Sequence, residues 1–127
     1  MNGTNAVVTE LDINGVKYVR KDSIQEQPEM PDGKMVIVRC RSAGVFFGEM
    51  GSYDKATGTA ILSNARRCWY WSGAASLSQL AVEGTSKPSE CKFPVAVPII
   101  TLAEVIEVIP CTSAAVKSLT SVKIWKA

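Results

Sequence analysis

Histidine is missing from all 127 residues of this chain. Its absence removes the usual proton shuttle near neutral pH, and with it every Ser-His-Asp or Cys-His arrangement. The phosphate-cradling glycine motifs are missing as well: there is no G-x-x-x-x-G-K-[ST] loop and no G-x-G-x-x-G turn. Glu104 and Glu107 are the closest pair of carboxylates set among apolar residues. Their three-residue offset puts them on opposite faces of a strand, a poor acid/base pair. These gaps lead us to expect a non-catalytic protein.

Cysteine is present but scattered. Cys40, Cys68, Cys91 and Cys111 form no C-x-x-C pair. Zinc sites draw on paired Cys and His ligands, so neither a metal nor another cofactor is expected. The thiols are expected to be reduced, most of them buried as small hydrophobes. No apolar run reaches the 18 residues that a spanning helix needs, so no membrane role is expected. The start at Met1-Asn2-Gly3-Thr4 shows no basic-then-apolar leader, which points to the cytoplasm. A net charge of +2 is slight for a protein that neutralises a phosphate backbone, so nucleic acid is not expected as a partner.

What is present suits a folded domain. The chain is 46% hydrophobic and 20% charged, close to the soluble average. Its length fits one domain that can fold without disulfides or metal. Asn14-Gly15, flanked by alternating apolar residues, predicts a hairpin of Val8–Ile13 with Val16–Arg20. Residues 1–21 therefore read as an arm. Residues 22–33, rich in Glu, Gln, Pro and Asp, read as a linker, and residues 34–127 as the main domain.

In that domain the β-branched run Met35–Cys40 predicts a strand. Ser42-Ala43-Gly44 turns it back through Val45–Met50. A turn at Asp54–Gly58 leads into Thr59–Ser63, and Asn64–Trp71 continues as a fourth strand after a bend. The pattern then changes. Ser72 as cap, Leu77, Leu80 and Ala81 as an apolar stripe, and Gly84 as terminator predict a helix over about 73–83. Val95–Ile100 and Glu104–Ile109 read as strands, Thr112 caps a short helix over about 113–119, and Val122–Trp125 is a last strand. The fold class expected is α+β, mainly β: a small antiparallel sheet or partly open barrel with these two helices.

The run Asn64-Ala65-Arg66-Arg67-Cys68-Trp69-Tyr70-Trp71-Ser72-Gly73 stands out. Guanidinium groups bind phosphate or carboxylate through a fork. Aromatic faces stack on flat rings. A helix opening at Ser72-Gly73 would add free amides that favour anions. The alternative is structural: on a strand Trp69 and Trp71 share one face with Arg67, and two indoles on one face of a sheet build a core at least as often as a platform. Arg66 would then pair with a nearby acid. Arg39 and Arg41 share a strand face and would extend a basic patch if that strand lay beside residues 66–71; otherwise they are a solvated edge. Phe46 and Phe47 point to opposite faces, so one is expected to face outward, as is Trp125 if its strand lies at an edge.

The residues Val36–Arg39 with Ser42–Gly48, the run Asn64–Ala81, Cys91-Lys92-Phe93-Pro94 and Glu107–Thr112 resemble a family of small proteins from tailed bacteriophages and prophages. That family has no established activity, and the likeness covers about residues 35–125. The resemblance implies a phage origin, placing the chain in the cytoplasm of a host bacterium or in a virion. It supplies no chemistry. The function expected is a non-catalytic phage accessory protein. It would bind a phosphorylated small molecule or nucleotide signal, as in counter-defence sequestration, through Arg66, Arg67, Trp69, Trp71, Ser72, Gly73, Arg39 and Arg41. The alternative is a virion structural component or an inhibitor docking on a host protein. A homo-oligomer is expected in either case.

Overall fold

The computed structural model describes residues 34–127, together with the antiparallel pairing of β1 (Asp12–Ile13) and β2 (Gly15–Val16). The rest of the expected hairpin and the linker at 22–33 lie outside the described residues. The main body is mainly β. Its strands are β3 (Met35–Cys40), β4 (Val45–Asp54), β5 (Thr59–Arg67), β6 (Val97–Leu102) and β7 (Val105–Pro110). They form one antiparallel sheet in the order β6-β5-β4-β3-β7.

That order has a geometric consequence. The two edge strands, β6 and β7, are consecutive in the chain and joined by Ala103-Glu104 alone. So short a link holds Leu102 and Val105 within about 11 Å of each other, so the sheet must curl until its edges nearly meet at that end. Three irregularities provide the bend, since a bulged strand bends and twists more strongly. Gly51 is the extra residue of β4, Asn64 adds one to β5 at φ +49°, and Ile106 adds one to β7. Gly48, opposite the Asn64 bulge, is required there: a Cβ would lie 2.9 Å from the Ala65 backbone.

Curling encloses one face of the sheet, and the helices cover much of the other. On the concave side Val36, Val38, Cys40, Phe46, Ala60, Leu62, Ala65, Leu102 and Val105 pack together. On the convex side two helices, α1 (Leu77–Glu83) and α2 (Ser113–Thr120), press Leu80, Ala81, Ala115 and Leu119 onto Ile37, Phe47, Cys68 and Phe93. Phe46 and Phe47 are therefore both buried, contrary to the expectation that one faces out. Alternation predicts an exposed face only where one side of a sheet is bare.

Two other expectations need correction. α1 starts at Leu77, not near 73, and its cap is Ser76, whose hydroxyl accepts from the Gln79 amide. Residues 122–125 make no strand: Ile124 forms a single parallel bridge with Phe93, and the Trp125 amide donates to the Phe93 carbonyl. Thr112 does cap α2. Its hydroxyl accepts from the Ala115 amide and donates to the Val82 carbonyl, tying the start of α2 to the end of α1.

Candidate aromatic platform at the end of strand β5

β5 carries Arg66 and Arg67 to the end of the sheet, and alternation sends them to opposite sides. Arg66 turns inward, where it is only 9% exposed. Its Nε donates to the Pro94 carbonyl at 3.1 Å and its Nη1 to the Val122 carbonyl at 2.7 Å. Its Nη2 donates to the carbonyls of Phe93 at 2.7 Å and Lys123 at 3.2 Å. No carboxylate among the described residues pairs with it, and burial pushes its pKa below the usual arginine value. The guanidinium fork thus binds the chain's own backbone. It ties residues 93–94 and 122–123 to the tip of β5.

Arg67 is exposed. Its Nη1 donates to the Ala43 carbonyl at 2.6 Å, and its guanidinium lies 4.5 Å from the centre of the Phe46 ring. Past Arg67 the amide of buried Cys68 still donates to the Val45 carbonyl, extending the ladder by one residue. Tyr70 and Lys92 then exchange both backbone hydrogen bonds. These pairings fix where the three aromatics go. Trp71 is half-buried and packs against the convex-side core. Trp69 is 58% exposed, and Tyr70 is also in solvent.

Trp69 has a companion that is distant in sequence. Its indole stacks on that of Trp125, with ring centres 5.1 Å apart and planes inclined by 21°. Trp125 is itself 43% exposed, and Ile124 beside it is exposed too. The Lys92 ammonium lies 5.5 Å from the Trp69 ring, 5.5 Å from the Trp125 ring and 5.9 Å from the Tyr70 ring. Next to this cluster a groove of about 350 Å³ is lined by Pro88, Ser89, Cys91, Ser121, Lys123, Ile124 and Trp125. Exposed stacked indoles, a cation among them and an adjoining concavity are the elements from which a site for a flat, anionic molecule is made.

The remaining expected site residues are placed elsewhere. The Ser72 carbonyl accepts from the Thr85 hydroxyl, and its own hydroxyl donates to Glu90 at 3.0 Å. The Gly73 carbonyl accepts from the Ser86 amide. Gly73 adopts φ +84°, and a Cβ there would sit 2.5 Å from the Lys87 amide nitrogen. This crossing of residues 72–73 over 85–87 holds the chain off a helical path, so no helix opens behind the aromatics. Arg39 pairs with Glu107 at 2.9 Å, and Arg41 is exposed. β4 separates their strand from β5, so the adjacency required for a shared basic patch is not met.

Lys92 and Lys123 were not legible as site residues. Lys92 arrives through a bridge spanning 22 positions, Tyr70 to Lys92, and Lys123 through the carbonyl network of Arg66. Neither leaves a local spacing signal. All four cysteines are buried and free. The Cys68 thiol is pushed up to about 12 by burial, so it stays protonated at neutral pH. No cluster of three or more His, Cys, Asp or Glu side chains suited to a metal occurs among the described residues.

No curated protein and no solved structure matches this chain. A family model does match, over residues 33–119, a span that takes in the curled sheet, α1, α2 up to Leu119 and Trp69 but ends before Trp125. The chain belongs to the family described as Domain of unknown function (DUF6948).

Proposed function

We propose that this protein is a non-catalytic binding module for a flat, anionic small molecule, a nucleotide-like compound, taken at the Trp69–Trp125 platform. The observation that carries this is the solvent-exposed indole stack with Lys92 over it. Leaving two tryptophans about half exposed forgoes part of the burial energy each would gain in a core, which is roughly 1.5–3 kcal/mol for a fully buried large side chain. A base or similar ring laid on such a face recovers part of it, at about 1–3 kcal/mol per stacked base. Lys92 and Lys123 add positive charge, and neither has a carboxylate within ion-pair distance among the described residues. In the wider setting we read the chain as a phage accessory protein that sequesters a phosphorylated signal in the host cytoplasm.

The test is quenching of tryptophan fluorescence by a panel of nucleosides and nucleotides. Saturable quenching by at least one phosphorylated member is expected. Trp69→Ala and Trp125→Ala should each weaken it about tenfold or more, the equivalent of about 1.4 kcal/mol. An unchanged signal across the panel would remove the proposal.

A second function is favoured by a different surface. The helices cover β3, β4 and β7 but not the outer side of β5 and β6, where Ile61 and Ile99 are exposed. Such a patch suits self-association or docking on a host or virion protein. Light scattering of the purified protein separates the two, since Ile99→Lys should abolish assembly without touching nucleotide quenching.

A further inference from the structure

We infer that the platform's ligand is a nucleoside monophosphate, its ring against Trp125 and its phosphate in the adjoining groove on Lys123. This rests on the binding function proposed above and narrows it. Four observations lead to it.

Trp125 belongs to both features: it is half of the indole stack and a wall of the groove. A ring lying on it therefore has its substituent directed along a concave surface rather than into open solvent. The groove also holds donors free to meet a phosphate. Lys123 pairs with no carboxylate, and the Ser89 hydroxyl makes no hydrogen bond to the described residues. Ser121 is different, because its hydroxyl already donates to the Ser118 carbonyl at 2.6 Å. The nearest acid in sequence, Glu90, is engaged by the Ser72 hydroxyl.

The segment bearing Lys123 is preorganised. Its own carbonyl and that of Val122 accept from Arg66, while the Trp125 amide donates to Phe93. A backbone fixed on both sides of the binding residue reduces the ordering cost of association. Size sets the last limit. About 350 Å³ lies at the low end of small-molecule pockets, which run from roughly 300 to 1,000 Å³. It matches one base, sugar and phosphate rather than a longer run of nucleotides.

The experiment is calorimetric titration of the whole chain with adenosine monophosphate, adenosine and a short oligothymidylate, repeated on Lys123→Met. The monophosphate should bind about tenfold or more tighter than adenosine, as a charge-assisted contact to phosphate requires. Lys123→Met should bring its affinity down to that of adenosine and leave adenosine itself unchanged. The circular-dichroism couplet of the stacked indoles, retained in the variant, confirms that the platform is intact. An oligothymidylate that outcompetes the monophosphate overturns the size limit. If adenosine monophosphate perturbs Trp69 and Trp125 yet Lys123→Met changes nothing, the groove assignment fails while the platform stands. If no probe binds and neither indole responds, both fail together.

Discussion

Arg66 carries its charge into a place where four carbonyl oxygens meet it and no acid does. Replacing it leaves the Pro94, Val122 and Lys123 carbonyls without that donor, while Phe93 keeps the Trp125 amide, and an unsatisfied buried polar group costs about 1–3 kcal/mol. Arg66→Met should therefore destabilise the fold by roughly 3–5 kcal/mol in urea unfolding. It should also erase the indole couplet, because the segments carrying Lys92 and Trp125 lose their tether. Arg66→Lys should recover little, since one ammonium cannot reproduce a planar fork. That Arg66 and Arg67 point to opposite sides of the strand was legible from alternation. What the guanidinium meets was not: its partners come from residues 93–94 and 122–123, which no local pattern connects to position 66.

At the scale of elements, one crossing explains why the chain behind the aromatics is not helical. Gly73 is set in a left-handed conformation against the Lys87 backbone. Gly73→Ala should cost about 2–4 kcal/mol from strain and forced displacement together. Ser76→Ala should cost only about 1 kcal/mol, as loss of a helix cap does. Ser72→Ala should not unfold α1, because Ser72 is not its cap. Thermal unfolding of the three variants gives the order. The strands from Met35 to Cys40 and the second helix behind Thr112 were legible because β-branching and capping are local. The start of α1 was not, since Ser72 and Ser76 are equal as caps in sequence and only the contact with residues 85–87 selects between them. Val122–Trp125 looked like a strand for the same reason: its apolar residues pack and stack, but no neighbouring strand is there to pair with them.

For the whole molecule, the short link between β6 and β7 curls the sheet and buries its concave face, while the helices bury the convex face over β3, β4 and β7. One result is a thiol deep in the convex-side core. Cys68 has its pKa raised to about 12 by burial, above the unfolded value near 8.5. The protonated form is thus favoured in the fold. Its contribution is complete below the unfolded pKa and is lost as pH rises from there towards the folded one. Cys40, also raised by burial, acts in the same direction. Urea unfolding at increasing pH should show stability falling above about pH 8.5, by on the order of 1 kcal/mol per pH unit. Cys68→Ala should flatten that slope. The mainly β class and the choice of a sheet or partly open barrel were readable from strand lengths and turns. The curl was not, because it depends on which strands become the edges.

The central claim is that Trp69, from the interior of the chain, and Trp125, near its end, form one binding surface. Titrating nucleoside monophosphate into isotope-labelled protein, and following the indole N–H signals of the chain's three tryptophans, tests it most directly. The account predicts that Trp69 and Trp125 shift together along one saturable curve while Trp71, packed on the core, stays in place. A titration in which Trp71 alone moves, or in which all three remain still at millimolar ligand, would contradict it.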